Sequence, residues 1–161
     1  MTPQRARELF GYNPSTGWII WRTKSRPASR VYIGQRAGTV VKKGYRRILV
    51  EGEQLPETHL IWLIVQGRLP IGEIDHINLI KDDNRWVNLR ECNRTENMRN
   101  QNVHRNNTSG CKGVNTRENG KFRARIRVDK KLLYLGTFDT AAQAAAAYQA
   151  AAAKYFGAFA R

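Results

Sequence analysis

The chain has 161 residues, room for one domain or two small ones, and carries 28 Lys and Arg against 13 Asp and Glu, a formal net charge of +15. Its longest apolar run, Leu60 to Val65, is far too short to cross a bilayer, and no apolar core follows the N-terminal charges as it does in a signal peptide. Two distant cysteines, Cys92 and Cys111, with no C-x-x-C pair, argue against a zinc ribbon, and free thiols in a reducing compartment are the default. The expectation is a soluble cytoplasmic protein with no membrane partner and no small-molecule substrate. The charge is uneven: residues 1–58 hold 11 Lys/Arg against 4 Asp/Glu, residues 59–99 hold 6 against 6, and residues 100–161 hold 11 against 3. Two basic flanks around a neutral middle favour a polyanion as partner over a merely solvated surface.

In chain order, residues 2–11 read as a short helix, with Thr2 as its cap and Pro3 at its first position. The Asn13-Pro14-Ser15-Thr16-Gly17 turn leads into a strand at Trp18–Trp21, and residues 23–30 read as a basic loop. Strands are expected at 37–42 and 45–50, giving a β-rich leader. A helix over 58–66 starts at a Thr58 cap and ends at Gly67. A strand at 73–77, a polar loop at 78–85, a strand at 87–92 and a helix from Thr95 to about Asn102 follow.

After a polar linker at 103–110, a second module opens with a short strand at 112–116 and a Glu118-Asn119-Gly120 hairpin signal. Residues 121–128 alternate: Lys121, Arg123, Arg125 and Arg127 on one face, Phe122, Ala124, Ile126 and Val128 on the other. Asp129-Lys130 turns the chain into a third strand at 132–136. Residues 140–154 form an alanine-rich helix opened by a Thr140/Gln143 capping box. The expected class is α+β: a β-rich leader and a strand-strand-helix unit over 1–102 (core 57–102), then three antiparallel strands on one helix over 111–161.

The chemistry concentrates in the middle. Ile74-Asp75-His76-Ile77 sets a carboxylate beside an imidazole, and Asn84, Asn88 and Asn97 follow. A carboxylate and an amide oxygen suit a hard metal ion, and a neutral imidazole can take a proton from water. On a strand, Asp75 and His76 point to opposite faces unless the strand ends there. Alone, an Asp-His pair is more often a surface pair, Asn84 a turn residue and Asn88 a strand cap; their co-occurrence shifts the odds. His59, at the start of an apolar helix, reads as structural, and His104 as a linker residue facing solvent or a phosphate.

Residues 57–102 resemble the His-Asn-His (HNH) endonucleases of the ββα-metal fold, especially homing and phage enzymes. The elements are H-L-I-W-L at 59–63, G-E-I-D-H-I at 72–77, D-N-R-x-x-N-L-R at 83–90 and E-N at 96–97. The resemblance implies His76 as general base, Asn88 as the residue orienting it, and Asp75 and Asn97 as ligands to one divalent ion, Mg²⁺ with Mn²⁺ substituting. This chain has Leu60 where the family often has Arg, and Asn78-Leu79 where it often has Asn-Gly.

Residues 108–159 resemble the plant ethylene-response-factor (APETALA-type) DNA-binding domain, through K-G-V at 112–114, G-K-F-R-A-R-I-R at 120–127, Y-L-G-T-F-D-T at 134–140 and A-A-x-A-Y at 144–148. It lacks that pattern's second tryptophan. The resemblance implies a sheet laid in the DNA major groove. Arg117, Lys121, Arg123, Arg125, Arg127, Lys130 and Lys131 are the expected DNA contacts. The leading expectation is a monomeric, metal-dependent endonuclease of double-stranded DNA from a bacterial or phage-infected cell. A non-catalytic DNA-binding regulator and an RNA-directed nuclease are the alternatives.

Overall fold

The computed structural model describes residues 1–24, 30–103 and 106–160. His104 and part of the expected basic loop at 23–30 lie outside them. The architecture is α+β and divides into two compact units, Met1–Arg94 and Thr95–Arg161. Among the described residues, no helix is long and apolar enough to cross a membrane.

In the first unit, helix α1 (Pro3–Leu9) starts at Thr2, whose hydroxyl accepts from the Arg5 amide at 3.2 Å. It stops at Leu9 rather than Gly11, because Phe10 leaves helical geometry to begin strand β1 (Phe10–Asn13). β1 pairs antiparallel with β2 (Trp18–Trp21), Phe10 opposite Trp21, and the Asn13 side chain caps the turn between them. A second sheet joins β3 (Thr39–Val40), β4 (Arg46–Val50) and β5 (Glu53–Pro56) in that order. β5 is an addition to the expected strands. The Glu51-Gly52 turn creates it, both residues having positive φ, as a two-residue hairpin requires.

Helix α2 (Glu57–Gln66) begins one residue before its expected start. Pro56 occupies the cap position, so Thr58 is inside the helix and caps nothing. Gly67 ends it in the left-handed region, φ 69°. Strands β6 (Glu73–His76) and β7 (Leu89–Cys92) form a two-stranded antiparallel ladder, with a 3₁₀ turn at 86–88 where the sequence suggests the start of a strand. The core gathers Leu9, Phe10, Ile19, Trp21, Ile48, Leu60, Ile61, Trp62 and Leu89. Leader, α2 and the β6–β7 ladder therefore share one apolar interior.

The second unit takes in nearly all of helix α3 (Arg94–Asn100). Thr95 sits within its first turn rather than before it. A three-stranded antiparallel sheet follows in the order β10 (Lys131–Phe138), β9 (Phe122–Val128), β8 (Val114–Thr116). Helix α4 (Ala141–Phe156) packs on it, opened by the Thr140/Gln143 capping box. Ala124 and Ile126 of β9 are buried against Ala144, Tyr148 and Ala152 of α4. Burying one side chain such as Ile126 stabilises by about 1.5–3 kcal/mol. The alanines bring the helix close, and Gly113 (φ 71°) brings β8 in under Tyr148: a Cβ there would overlap its ring.

Candidate active site and nucleic-acid interface

β6 ends at His76, and both Asp75 and His76 are buried, 4% and 5% exposed. Ending the strand there releases the pair from strict alternation. Asp75 faces Arg90 across the ladder, and Arg90 Nε and Nη2 donate to Asp75 Oδ2 at 2.8 and 2.6 Å. The His76 ring lies 6.1 Å from the Tyr45 ring, and Lys81 sits over Tyr45 at 4.9 Å.

His76 Nε2 is 2.7 Å from Asn84 Oδ1. Asn84 Nδ2 donates to Glu57 Oε2 at 2.6 Å, and the Ile19 amide donates to Glu57 Oε1 at 3.1 Å. Glu57, fully buried, is paired with Arg36 at 3.1 Å and approached by Arg46 at 3.7 Å. Both arginines also bond Asp82. A buried carboxylate without such partners would cost several kcal/mol. The leader therefore supplies charges that hold the first residue of α2, which holds the loop residue that holds His76.

Asn88, expected to orient His76, has its amide elsewhere. Its Oδ1 accepts from the Asn78 amide at 2.9 Å, and its Nδ2 donates to Asp83 O at 2.7 Å and Asn78 Oδ1 at 3.0 Å. Asn88 thus closes the loop after His76, while Asn84 bonds the ring at Nε2. That loop is also tied by Asp83, whose pKa the Arg85 guanidinium, with the Asn78 amide, holds down to about 2. Leu79, in the Asn-Gly position of the resemblance, sits at φ 65°, a conformation that favours glycine.

Two leader contacts reach the same loop. Tyr12 Oη donates to Asn84 O at 3.1 Å, and burial, first among its causes, raises the Tyr12 pKa and keeps it a donor. Gly17, φ 75°, lies so close that a Cβ would overlap the Asn84–Arg85 backbone.

A hard oxygen donor suits Mg²⁺ or Mn²⁺. A carboxylate has two oxygens and about four lone-pair sites, so pairing with Arg90 leaves Asp75 chemically able to accept a cation. Among the described residues, no group of three or more His, Cys, Asp and Glu side chains forms a metal cluster. The expected donor set, one acid and one amide, is of a different kind. Asn97 lies on α3, in the second unit.

In the second unit, Arg127 is exposed and Arg123 and Arg125 are half-buried on the face of β9 opposite Ala124 and Ile126. Arg125 donates to Asn115 Oδ1 on β8 at 2.9 Å. Arg123 Nε is buried and bonded to nothing; burial, then the charges of Arg125 and Arg117, lower its pKa. Arg117 and Lys121 lie at the β8–β9 hairpin, Lys121 paired with Asp139 at 3.0 Å. Lys130 and Lys131 lie at the opposite end of β9, Lys130 in the two-residue turn to β10. At about 3.4 Å per residue, Arg123, Arg125 and Arg127 make a basic line roughly 14 Å long on β9. Exposed Tyr134 stands opposite Arg125 on β10, a neighbour that the alternation of β9 alone does not reveal.

Residues 58–99 match the family model of HNH endonucleases. No curated protein and no solved structure matches the chain. The matched segment is an HNH nuclease module, and it contains Asp75, His76, Asn84, Asn88 and Asn97. Glu57, Arg36 and Arg46 lie outside it.

Proposed function

We propose that the protein is a metal-dependent endonuclease of double-stranded DNA, of the homing or phage kind, acting as a monomer in the cytoplasm. The observation that carries this reading is His76, buried at a strand end and oriented by a hydrogen-bonded chain, within a segment matching HNH endonucleases. His76 takes the proton of a water that attacks phosphorus opposite the 3′ oxygen. The expected products carry 5′-phosphate and 3′-hydroxyl ends. Asp75 and, by the resemblance, Asn97 would hold one divalent ion, Mg²⁺ or Mn²⁺. When bound, the ion supplies charge stabilisation at the scissile phosphate and the leaving oxygen. Asn88 supports the histidine indirectly, through the loop it closes.

The basic line along β9 reads the target, with Arg117, Lys121, Lys130 and Lys131 on phosphates at its two ends. The support is topological: an antiparallel sheet backed by one helix presents its arginines on the face away from that helix. A DNA-binding protein without hydrolysis has one observation on its side, since Arg90 already neutralises Asp75.

Supercoiled plasmid, a linear duplex and a single-stranded RNA are incubated with Mg²⁺ or Mn²⁺, with and without EDTA. Nicked plasmid that requires the ion is expected. Binding without cleavage favours the regulator, and cleavage confined to RNA moves the substrate class.

A further inference from the structure

We infer that Glu57, acting through Asn84, fixes the tautomer of His76 with its N–H on Nε2; this rests on the nuclease reading above. The hydrogen bonds have a forced direction. A carboxylate only accepts, so the Asn84 group 2.6 Å from Glu57 Oε2 is the NH₂. The amide oxygen then faces His76, and an oxygen only accepts, so Nε2 carries the N–H at 2.7 Å. A neutral imidazole has one N–H, which leaves the lone pair on Nδ1. Arg36 and Arg46 complete the arrangement by compensating the buried carboxylate, and the Ile19 amide fills its other oxygen. Glu57 touches neither water nor phosphate in this arrangement. It is a positioning residue, and the leader strands that surround it are part of the catalytic apparatus.

The polarity can be broken and restored. Glu57→Gln places an NH₂ where an acceptor is needed, so either the Ile19 amide or Asn84 must yield. Asn84→Leu removes the acceptor on Nε2. Each is expected to lower the single-turnover cleavage rate by roughly 10²-fold or more, as losing the correct tautomer of a general base does. DNA affinity should stay within about twofold, because no substrate contact is removed. The double variant Glu57→Gln/Asn84→Asp restores the direction: the new amide at position 57 donates to the new carboxylate at position 84, and that carboxylate accepts from Nε2. It should recover most of the rate lost by Glu57→Gln.

The tautomer itself is read in the metal-free wild type from the ¹⁵N chemical shifts of the His76 ring in alkaline buffer. Protonation at Nε2 supports the inference. Protonation at Nδ1, or a folded Asn84→Leu that cleaves at the wild-type rate, overturns it. Because the spectrum needs neither metal nor turnover, it decides the inference even if the variants do not fold. A wild type that cleaves nothing with any divalent ion overturns the nuclease reading alone.

Discussion

Asp75 and Arg90 stand directly opposite each other on β6 and β7, and the guanidinium meets the carboxylate at 2.6 Å with both side chains largely out of solvent. A buried pair broken on one side leaves an uncompensated charge, which costs about 3–5 kcal/mol. Arg90→Gln should therefore destabilise the metal-free protein by about that amount. If Asp75 is a metal ligand, Mg²⁺ or Mn²⁺ should raise the melting temperature of the variant more than that of the wild type, since the ion supplies the missing charge. Thermal melts over a metal titration measure both effects. Equal metal shifts in variant and wild type would remove Asp75 from the metal site.

Asp129 and Lys130 form the two-residue turn between β9 and β10, with φ of 46° and 68°. Such a turn favours Asp-Gly. Lys130→Gly should stabilise the second unit by about 0.5–1 kcal/mol, relieving the left-handed strain of a lysine. If Lys130 contacts a phosphate, the same change should weaken DNA binding and reduce the log–log salt slope by about one. Urea denaturation and a salt series of binding isotherms test the two parts separately.

His59 lies half-buried on α2, and burial, followed by the positive charge of Arg47, lowers its pKa. The unfolded imidazole titrates near its ordinary value of about 6.5. Between that value and the lowered one, the unfolded chain binds a proton that the folded chain does not. Folding stability should therefore fall as pH drops below about 6.5, and level off below the folded pKa. His59→Gln should flatten this part of the profile in denaturant melts at a series of pH values. An unchanged profile would assign the acid sensitivity to other groups.

Arg123 and Arg127 differ in burial although they share a face. Arg127→Ala should leave stability within about 0.5 kcal/mol. Its DNA effect is about 1–3 kcal/mol at one base position if it reads a base, or a sequence-independent loss if it holds a phosphate. Arg123→Met removes a buried unpaired N–H while keeping the stem, so the fold should be as stable as wild type or more so. If both variants, combined with Arg125→Ala, fold and bind DNA like the wild type, the sheet does not read the target.

The second unit is legible in the sequence because its signals are local. The alternation at 121–128 names the buried face, and Thr140 with Gln143 names the start of α4. The nuclease segment is legible as motif, and the Asp75-His76 pair is found from residue type and order. The parts that hold His76 are not, because they are tertiary. Glu57 begins an apolar helix, where an acid ordinarily faces solvent and the helix dipole; nothing local shows that Arg36, 21 residues earlier, covers it. Asn84 sits in a polar loop where asparagine is expected for its turn geometry alone. Asn88 is the more visible candidate because it adjoins a strand, yet its amide closes the loop.

The contact of Gly17 with the Asn84–Arg85 backbone bears on how this protein can be taken apart or grafted. A cut placed at the start of the matched segment, near residue 57, would strip away Gly17, Tyr12, Arg36 and Arg46, and with them the wall against which the Asn84 loop is set. The transplantable cassette therefore includes the leader rather than starting at the edge of the recognisable motif.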